Sequence, residues 1–429
     1  MEINMLKKQI AEGVYDARLR ALYAADDAAL ESQRARYLKA IAEFEKLYPE
    51  ITDAAIFSAP GRTEVGGNHT DHQHGRVLAA AVNLDVIAVA AKTEGTVVKI
   101  KSEGFPGDIV DVSILTPQEV ESTHSPALVR GVAKGMADAG YKIGGLVAYT
   151  TSSVLKGSGL SSSAAFEVLV GTLFNHLYND GKVDAVKIAQ IGQFAENVFF
   201  GKPSGLMDQT ASSVGGFITI DFADTAHPVV EKVNFDFSES GYRLCIVNTG
   251  GNHADLTPDY AAVPAEMKAA AAVFGKQVLR EVDEDVFMRN LSKVREQVND
   301  RAALRGIHFF GDNARVVKEV AALNAGDFET FKQLIIESGR SSYCYLQNVY
   351  SSRNPDEQGI SLALAVSEQI LAGKGAWRVH GGGFAGTIQA FVPEELTETY
   401  VAAMEAVFGK GSCYLLSIRK EGGIQSLPV

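Results

Sequence analysis

The stretch Val154-Leu-Lys-Gly-Ser-Gly-Leu-Ser-Ser-Ser-Ala-Ala-Phe-Glu167 dictates a strand exit, a tight turn and a helix start in immediate succession. Upstream, Gly145 to Thr151 predicts a strand, on the β-favouring bulk of Leu146, Val147 and Tyr149. Downstream, Ala165, Val168, Leu169, Leu173 and Leu177 recur at helical spacing. Gly157 and Gly159 lack Cβ, so the chain can bend sharply there and a ligand can approach the backbone. Ser161, Ser162 and Ser163 sit where the helix begins, and unpaired N–H groups with a positive dipole end suit an anion. Two readings stand at this point: a phosphate cradle, or a serine-capped helix after a glycine turn. A Walker A loop is excluded, because no Gly-Lys-Ser/Thr closes the turn.

At 429 residues the chain is long for one core, which predicts two domains. The pattern changes near residue 226, from strands and helices in alternation to long helical stretches, so the expected division is 1–225 and 226–429. Forty basic against 52 acidic residues give a net charge of −12. That balance argues against a nucleic-acid backbone or an anionic membrane as partner, but not against a nucleotide, which needs only a local positive site. Cys245, Cys344 and Cys413 are far apart and form no CxxC pair, as expected of reduced thiols. No apolar signal core opens the chain and no run of about 18 apolar residues suggests a membrane span, so the cytoplasm is the expected compartment.

Residues 1–48 read as a charged helical lead-in with no chemistry of its own. Ala54 to Ser58 predicts a short strand. The segment Ala59 to Gly75 that follows is loop-like, rich in glycine and polar residues, and gathers Arg62, Glu64, Asn68, His69, Asp71, His72 and His74. Its imidazoles and carboxylate fit a metal site. No distant partner cluster with ligand spacing accompanies them, whereas the mixture of donors and acceptors fits several sugar hydroxyls, or simply a solvated polar loop. Further on, an amphipathic helix over Val183 to Phe200 carries Glu196, and a turn at Pro203 and Gly205 leads to a helix near Leu206. Met207-Asp208-Gln209 then occupies a first turn, where an acid also complements the helix dipole. In the second half, helices are expected over Pro264–Gly275, Asp285–Val298, Ala302–Ala325, Phe328–Leu346 and Gln358–Leu371, and a final strand over Cys413–Arg419.

Three motifs therefore stand in order: Pro60-Gly-Arg62 with Gly67-Asn-His-Thr-Asp71, Gly159-Leu-Ser-Ser-Ser-Ala164, and Gly381-Gly-Gly-Phe-Ala-Gly386. With Met207-Asp208-Gln209 they resemble the GHMP small-molecule kinases, and among them the galactokinases, over nearly the whole chain from Ala59 onward. The resemblance implies an α+β fold of two domains, the first like ribosomal protein S5 domain 2 and the second ferredoxin-like, with the active site between them. It implies transfer of the ATP γ-phosphate to a sugar hydroxyl, in galactokinases the anomeric one of galactose. Lys156, Gly157, Ser158, Gly159, Leu160, Ser161, Ser162 and Ser163 would hold the triphosphate, and the loop bearing Gly382 and Gly383 would close on the first motif and the phosphates. By the same resemblance Ser163 and Glu196 are the Mg²⁺ ligands, Asp208 is the base and Arg62 its basic neighbour. Asn68, His69, Asp71, Gly205 and Tyr260 fall on hexose-binding positions. The expected molecule is a monomer or homodimer.

Three positions depart from the galactokinase pattern. Glu64 stands where the family has Asn, Asn68 where it has Glu, and His72 where it has Tyr. A neutral amide at 68 repels a C6 carboxylate less than Glu would, so a galacturonate kinase is the alternative substrate reading. A non-catalytic galactose sensor and a metal hydrolase built on His69, Asp71, His72 and His74 are the readings from other classes.

Overall fold

A computed structural model describes residues 1–154, 159–202, 204–251 and 256–428. The chain opens with three helices, α1 (Ile3–Ala11), α2 (Asp16–Tyr23) and α3 (Asp27–Leu47). There follow β1 (Ala55–Gly66), β2 (Arg76–Lys92), β3 (Val97–Ser102), β4 (Gly107–Asp111), α4 (Ser125–Asp138), β5 (Leu146–Ser152), α5 (Ser162–Asn179), α6 (Ala185–Phe194), α7 (Met207–Val214), β6 (Phe217–Asp221) and β7 (Val229–Val233). The second half holds β8 (Tyr242–Asn248), α8 (Thr257–Ala272), α9 (Glu284–Arg289), α10 (Leu291–Gln297), α11 (Asp300–Asn324), α12 (Phe328–Ser341), α13 (Gly359–Leu371), β9 (Ala376–His380), β10 (Thr387–Pro393), α14 (Thr397–Phe408), β11 (Cys413–Leu416) and β12 (Ile424–Leu427). This is the α+β class expected.

Two sheets organise these elements. The larger has the path β12-β1-β2-β5-β3-β4, with β6 on β2 and β7 on β6. The smaller has the order β11-β8-β10-β9. Strand β2 is apolar along most of its length because both faces are covered. Val86, Ala88 and Ala90 point into one core with α4 and α5, while Ile87, Val89 and Ala91 point into another with Leu6, Leu22, Tyr37, Ile41 and Phe44 of the lead-in helices. The strand period of two thus divides one hydrophobic run between two layers. A buried polar knot pins the lead-in there: fully buried Asp85 accepts from Arg36 Nη1 at 2.7 Å and Tyr23 Oη at 2.7 Å, and pairs with Arg419 at 3.2 Å.

Several elements differ from the sequence reading. Strand β1 does not stop at Ser58 but runs through Pro60-Gly61-Arg62 to Gly66, so this part of the first motif is a strand with bulges, and only residues 67–75 form the expected loop. Proline is tolerated because β12 pairs only with Ile56 to Ser58, and the ladder with β2 shifts register just after Pro60. Helix α8 begins at Thr257, not Pro264, and runs through that proline. Proline removes one helical N–H, but buried Val263, Met267 and Ala270 on both sides of it hold the helix on Phe287 and Phe309. The expected helix over 285–298 is two, meeting at Asn290. The last expected strand ends at Leu416, and β7 and β12 are additional to the strands expected. Both of these strands lie beyond residue 225 in sequence yet belong to the larger sheet.

Candidate active site

Strand β1 carries Arg62 to the first turn of α7. There Arg62 Nε and Nη2 donate to the two carboxylate oxygens of Asp208 at 2.6 and 2.7 Å. The same guanidinium donates from Nη1 to the Gly159 carbonyl, and the Arg62 backbone N–H donates to the Leu160 carbonyl at 3.0 Å. Arg62 is therefore the joint between the first motif, the end of the glycine turn and Met207-Asp208-Gln209. Burial pushes the Asp208 carboxyl up, but the Arg62 charge and hydrogen bonds, with the Ser161 hydroxyl, hold it below the usual carboxylate range. Its side chain stays 30% exposed and Arg62 only 12%, so the carboxylate faces the open side of the pair.

The turn before α5 is described from Gly159 onward. Lys156, Gly157 and Ser158 lie outside the described residues. Gly159 (φ +72°) and Ser161 (φ +56°) are both left-handed. Ser161 occupies the N-cap position, yet its side chain makes no capping bond. The serine-capped helix is thus not what these residues build, and Ser162 and Ser163 stand in the first turn of a helix without a side-chain cap. A Cβ on Gly159 would come within 3.1 Å of His380 Nδ1, so the turn lies directly on the end of β9. His380 is wedged between Thr63 Oγ1 (3.0 Å) and Thr387 Oγ1 (2.9 Å), and burial with Arg62 nearby pushes its pKa down to about 3.

Behind Ser163 lies a buried carboxylate pair. Glu196, on a π-turn over Ala195–Phe200, accepts from Lys202 Nζ at 2.8 Å and from Ser163 Oγ at 3.4 Å on Oε1, and from Gln209 Nε2 at 2.9 Å on Oε2. Gln209 Nε2 also donates to Glu167 at 2.9 Å, and burial next to Glu196 pushes Glu167 up to about 8.

The glycine loop between β9 and β10 meets the first motif through its carbonyls. Gly381 O accepts from Asn68 Nδ2 at 2.7 Å, Gly382 O from His69 Nε2 at 3.0 Å, and Gly383 O from Tyr260 Oη at 2.9 Å. The Tyr260 ring stands edge-on to Phe384, and a Cβ on Gly382 would meet that tyrosine at 2.7 Å. Gly205 lies against Asp71, whose Oδ2 would be 3.1 Å from an added Cβ. His69, Asp71, Gly205, Tyr260, Gly382 and Gly383 are therefore linked into one neighbourhood. The described contacts of Gly382 and Gly383 run to the first motif, to Tyr260 and to Asn348, whose Nδ2 donates to Gly382 O at 3.2 Å.

Asn68 differs from its neighbours. It is fully buried, and its amide is engaged on four sides: it donates to Glu64 at 2.9 Å and to Gly381 O, and accepts from Asn348 at 2.9 Å and Ser342 at 3.2 Å. Glu64 in turn holds Arg378 at 2.7 Å, and burial pushes the Glu64 carboxyl up to about 7 against that arginine's pull. Arg378, Asn348, His308 and Asp312 carry no local motif. They come from β9 and from the helices and turns of the second half, and only the fold brings them to β1.

The histidines of the first motif do not form a metal cage. His69 and His72 have ring centroids 5.6 Å apart, and burial pushes His72 down to about 4. Among the described residues no group of three or more His, Cys, Asp or Glu side chains is placed to hold a metal ion.

Known proteins share sequence and fold with this chain. The galactokinase galactose-binding signature matches residues 42–92, and the GHMP kinases N terminal domain matches residues 127–216. A galactokinase of Streptomyces coelicolor is 29% identical over 367 residues, 85% of this chain and 91% of that protein. Lactococcus lactis galactokinase, solved with galactose, superimposes with a TM-score of 0.75 at 24% identity, over 90% of this chain and 98% of that one. Methanococcus jannaschii mevalonate kinase has the same fold more distantly, with a TM-score of 0.61 at 13% identity, over 85% of this chain and 98% of that one. With its four motifs gathered around one arginine–aspartate pair, the chain carries a galactokinase galactose-binding signature and a GHMP kinases N terminal domain, and is similar to galactokinases over most of its length.

Proposed function

We propose that this protein transfers the γ-phosphoryl group of ATP to the anomeric hydroxyl of galactose, giving galactose 1-phosphate. The observation that carries the reading is the bidentate Arg62–Asp208 pair at the meeting point of the motifs. Each carboxylate oxygen of Asp208 has a second acceptor site beyond the one Arg62 uses, and with one taken by the Ser161 hydroxyl the other leaves room for a sugar hydroxyl. In this reading Asp208 takes the proton of that hydroxyl as it attacks. A carboxylate held ionised by arginine is a weak base, which suits a loose phosphoryl-transfer transition state, where the nucleophile's proton leaves late. Arg62 keeps the carboxylate oriented and stabilises charge on the transferred group.

The residues behind the α5 start fit Mg²⁺. Ser163 and Glu196 offer hard oxygen donors, and the Lys202 ammonium on Glu196 shows that carboxylate already facing a cation. Two protein ligands suit an ion that takes its other ligands from water and phosphate, and when bound it would neutralise phosphate charge. The first-turn N–H groups of α5 would receive phosphate oxygens, and His69, Asp71, Gly205 and Tyr260 would hold the sugar. The division near residue 225 would place this site between two lobes.

The uronate alternative rested on a neutral amide at position 68, and that amide is spent within the protein. Arg378, the cation beside it, is taken by Glu64. ADP release from Mg-ATP with galactose, galacturonate, glucuronate, arabinose and glucose tests the reading. Turnover with galactose far above the others is expected. Turnover confined to a uronate, or ATP binding with no turnover on any sugar, would overturn it.

A further inference from the structure

Glu167 has no part in the reaction described above, yet it is placed with care. It lies on α5 one turn after Ser163, is 1% exposed, and its Oε1 has no partner among the described residues. Its other oxygen accepts from Gln209 Nε2, the atom that also donates to Glu196 Oε2, both at 2.9 Å. An amide nitrogen carries two hydrogens, so one NH₂ group is shared between two buried carboxyl groups. Helix α6 makes room for this contact with a glycine: a Cβ on Gly192 would stand 3.2 Å from Gln209 Cγ and 3.3 Å from Glu167 Cβ.

The shared amide decides how Glu196 is turned. Gln209 holds Oε2 from behind, so Oε1 faces Ser163 and Lys202. Gln209 itself is fully buried, and its carbonyl oxygen has no partner among the described residues. Among the described residues, only the two carboxyl groups fix which end of this amide points toward Glu196. Remove the Glu167 oxygen and one N–H is left buried without an acceptor, so the amide loses half of its anchoring.

We propose that Glu167 and Gln209 are a positioning pair that fixes the Glu196 carboxylate for the metal–nucleotide complex. The inference rests on the reading of Glu196 as a metal ligand. Neither residue touches substrate, so neither is catalytic.

The test is Mn²⁺–ADP binding to the full-length protein, followed by the electron paramagnetic resonance of Mn²⁺, with thermal unfolding and sugar KM as controls. Glu167→Leu and Gln209→Met, which keep volume but break the bridge, are each expected to weaken Mn²⁺–ADP about tenfold and to raise the KM for Mg-ATP, with sugar KM unmoved. Glu167→Gln restores an acceptor oxygen and is expected to bind within about twofold of the parent. In the double variant the losses do not add. Parental Mn²⁺ affinity in a folded Glu167→Leu or Gln209→Met protein would overturn the proposal, as would equal losses in Glu167→Gln and Glu167→Leu. Glu196→Gln separates the two levels: if it leaves Mn²⁺ affinity unchanged, the metal reading of Glu196 has failed, whereas tight dependence on Glu196 with none on Glu167 fails the positioning pair alone.

Discussion

Glu319 gives the sharpest quantitative expectation outside the active site. It sits on α11 beneath Gly66 of β1, is fully buried, and neither carboxylate oxygen has a partner among the described residues. Burial, with Asp312 and Glu64 nearby, outweighs the pull of Arg378 and Arg315 and pushes its pKa from 4.5 up to about 8. The folded protein therefore keeps a proton there that the unfolded chain releases above pH 4.5. The sign follows: the stability from this proton is full below pH 4.5 and is lost as pH rises through about 8. At about 1.4 kcal/mol per pH decade, raising the pH from about 5.5 to 9 costs the parent about 3 kcal/mol through this group. Glu319→Gln cannot ionise and escapes that loss. Urea unfolding of both proteins at the two pH values measures it, and the other distant raised carboxyl, Glu167, cancels in the difference. The variant should gain about 3 kcal/mol on the parent between pH 5.5 and 9. A difference between the two proteins that stays constant across this range would refute the reasoning.

Two further expectations come from arginine pairs. Arg62→Lys keeps a cation but loses the fork that meets both Asp208 oxygens and the Gly159 carbonyl. Steady-state kinetics should show kcat down about 10²-fold, the scale of one lost preorganised donor, with ATP affinity nearly kept. Asp85→Asn removes the charge that Arg36 and Arg419 both use in a buried site. Breaking such a pair costs about 3–5 kcal/mol, so thermal unfolding should fall by several degrees and proteolysis should release the lead-in helices first.

The chemistry of this site was more legible in sequence than its scaffold. The roles proposed for Arg62, Asp208, Ser163 and Glu196 come from the resemblance of ordered motifs rather than from residue types alone, and the fold brings these four residues together. The secondary structure failed where tertiary contacts overrode local rules. Pro60 and Gly61 look like a loop, but the ladder with β2 carries a strand through them. Pro264 looks like a helix start, but the apolar residues around it continue α8 on both sides. Asn68 falls on a hexose-binding position by resemblance, yet its amide is fully engaged within the protein. Its burial depends on Arg378, Asn348 and Ser342, which lie more than 270 positions away in the chain. No local period could have placed them there. The lead-in helices read as chemically silent, but the second apolar face of β2 is what they exist to cover.

The measurement closest to the centre of this account compares the parent with Asp208→Asn, by ADP release from Mg-ATP and galactose and by calorimetric ATP binding. The account predicts that the variant binds ATP within a few-fold of the parent while turnover falls by about 10²–10⁴, the usual contribution of a positioned base. Turnover near the parental level in a folded Asp208→Asn protein would contradict it and move the proton acceptor elsewhere.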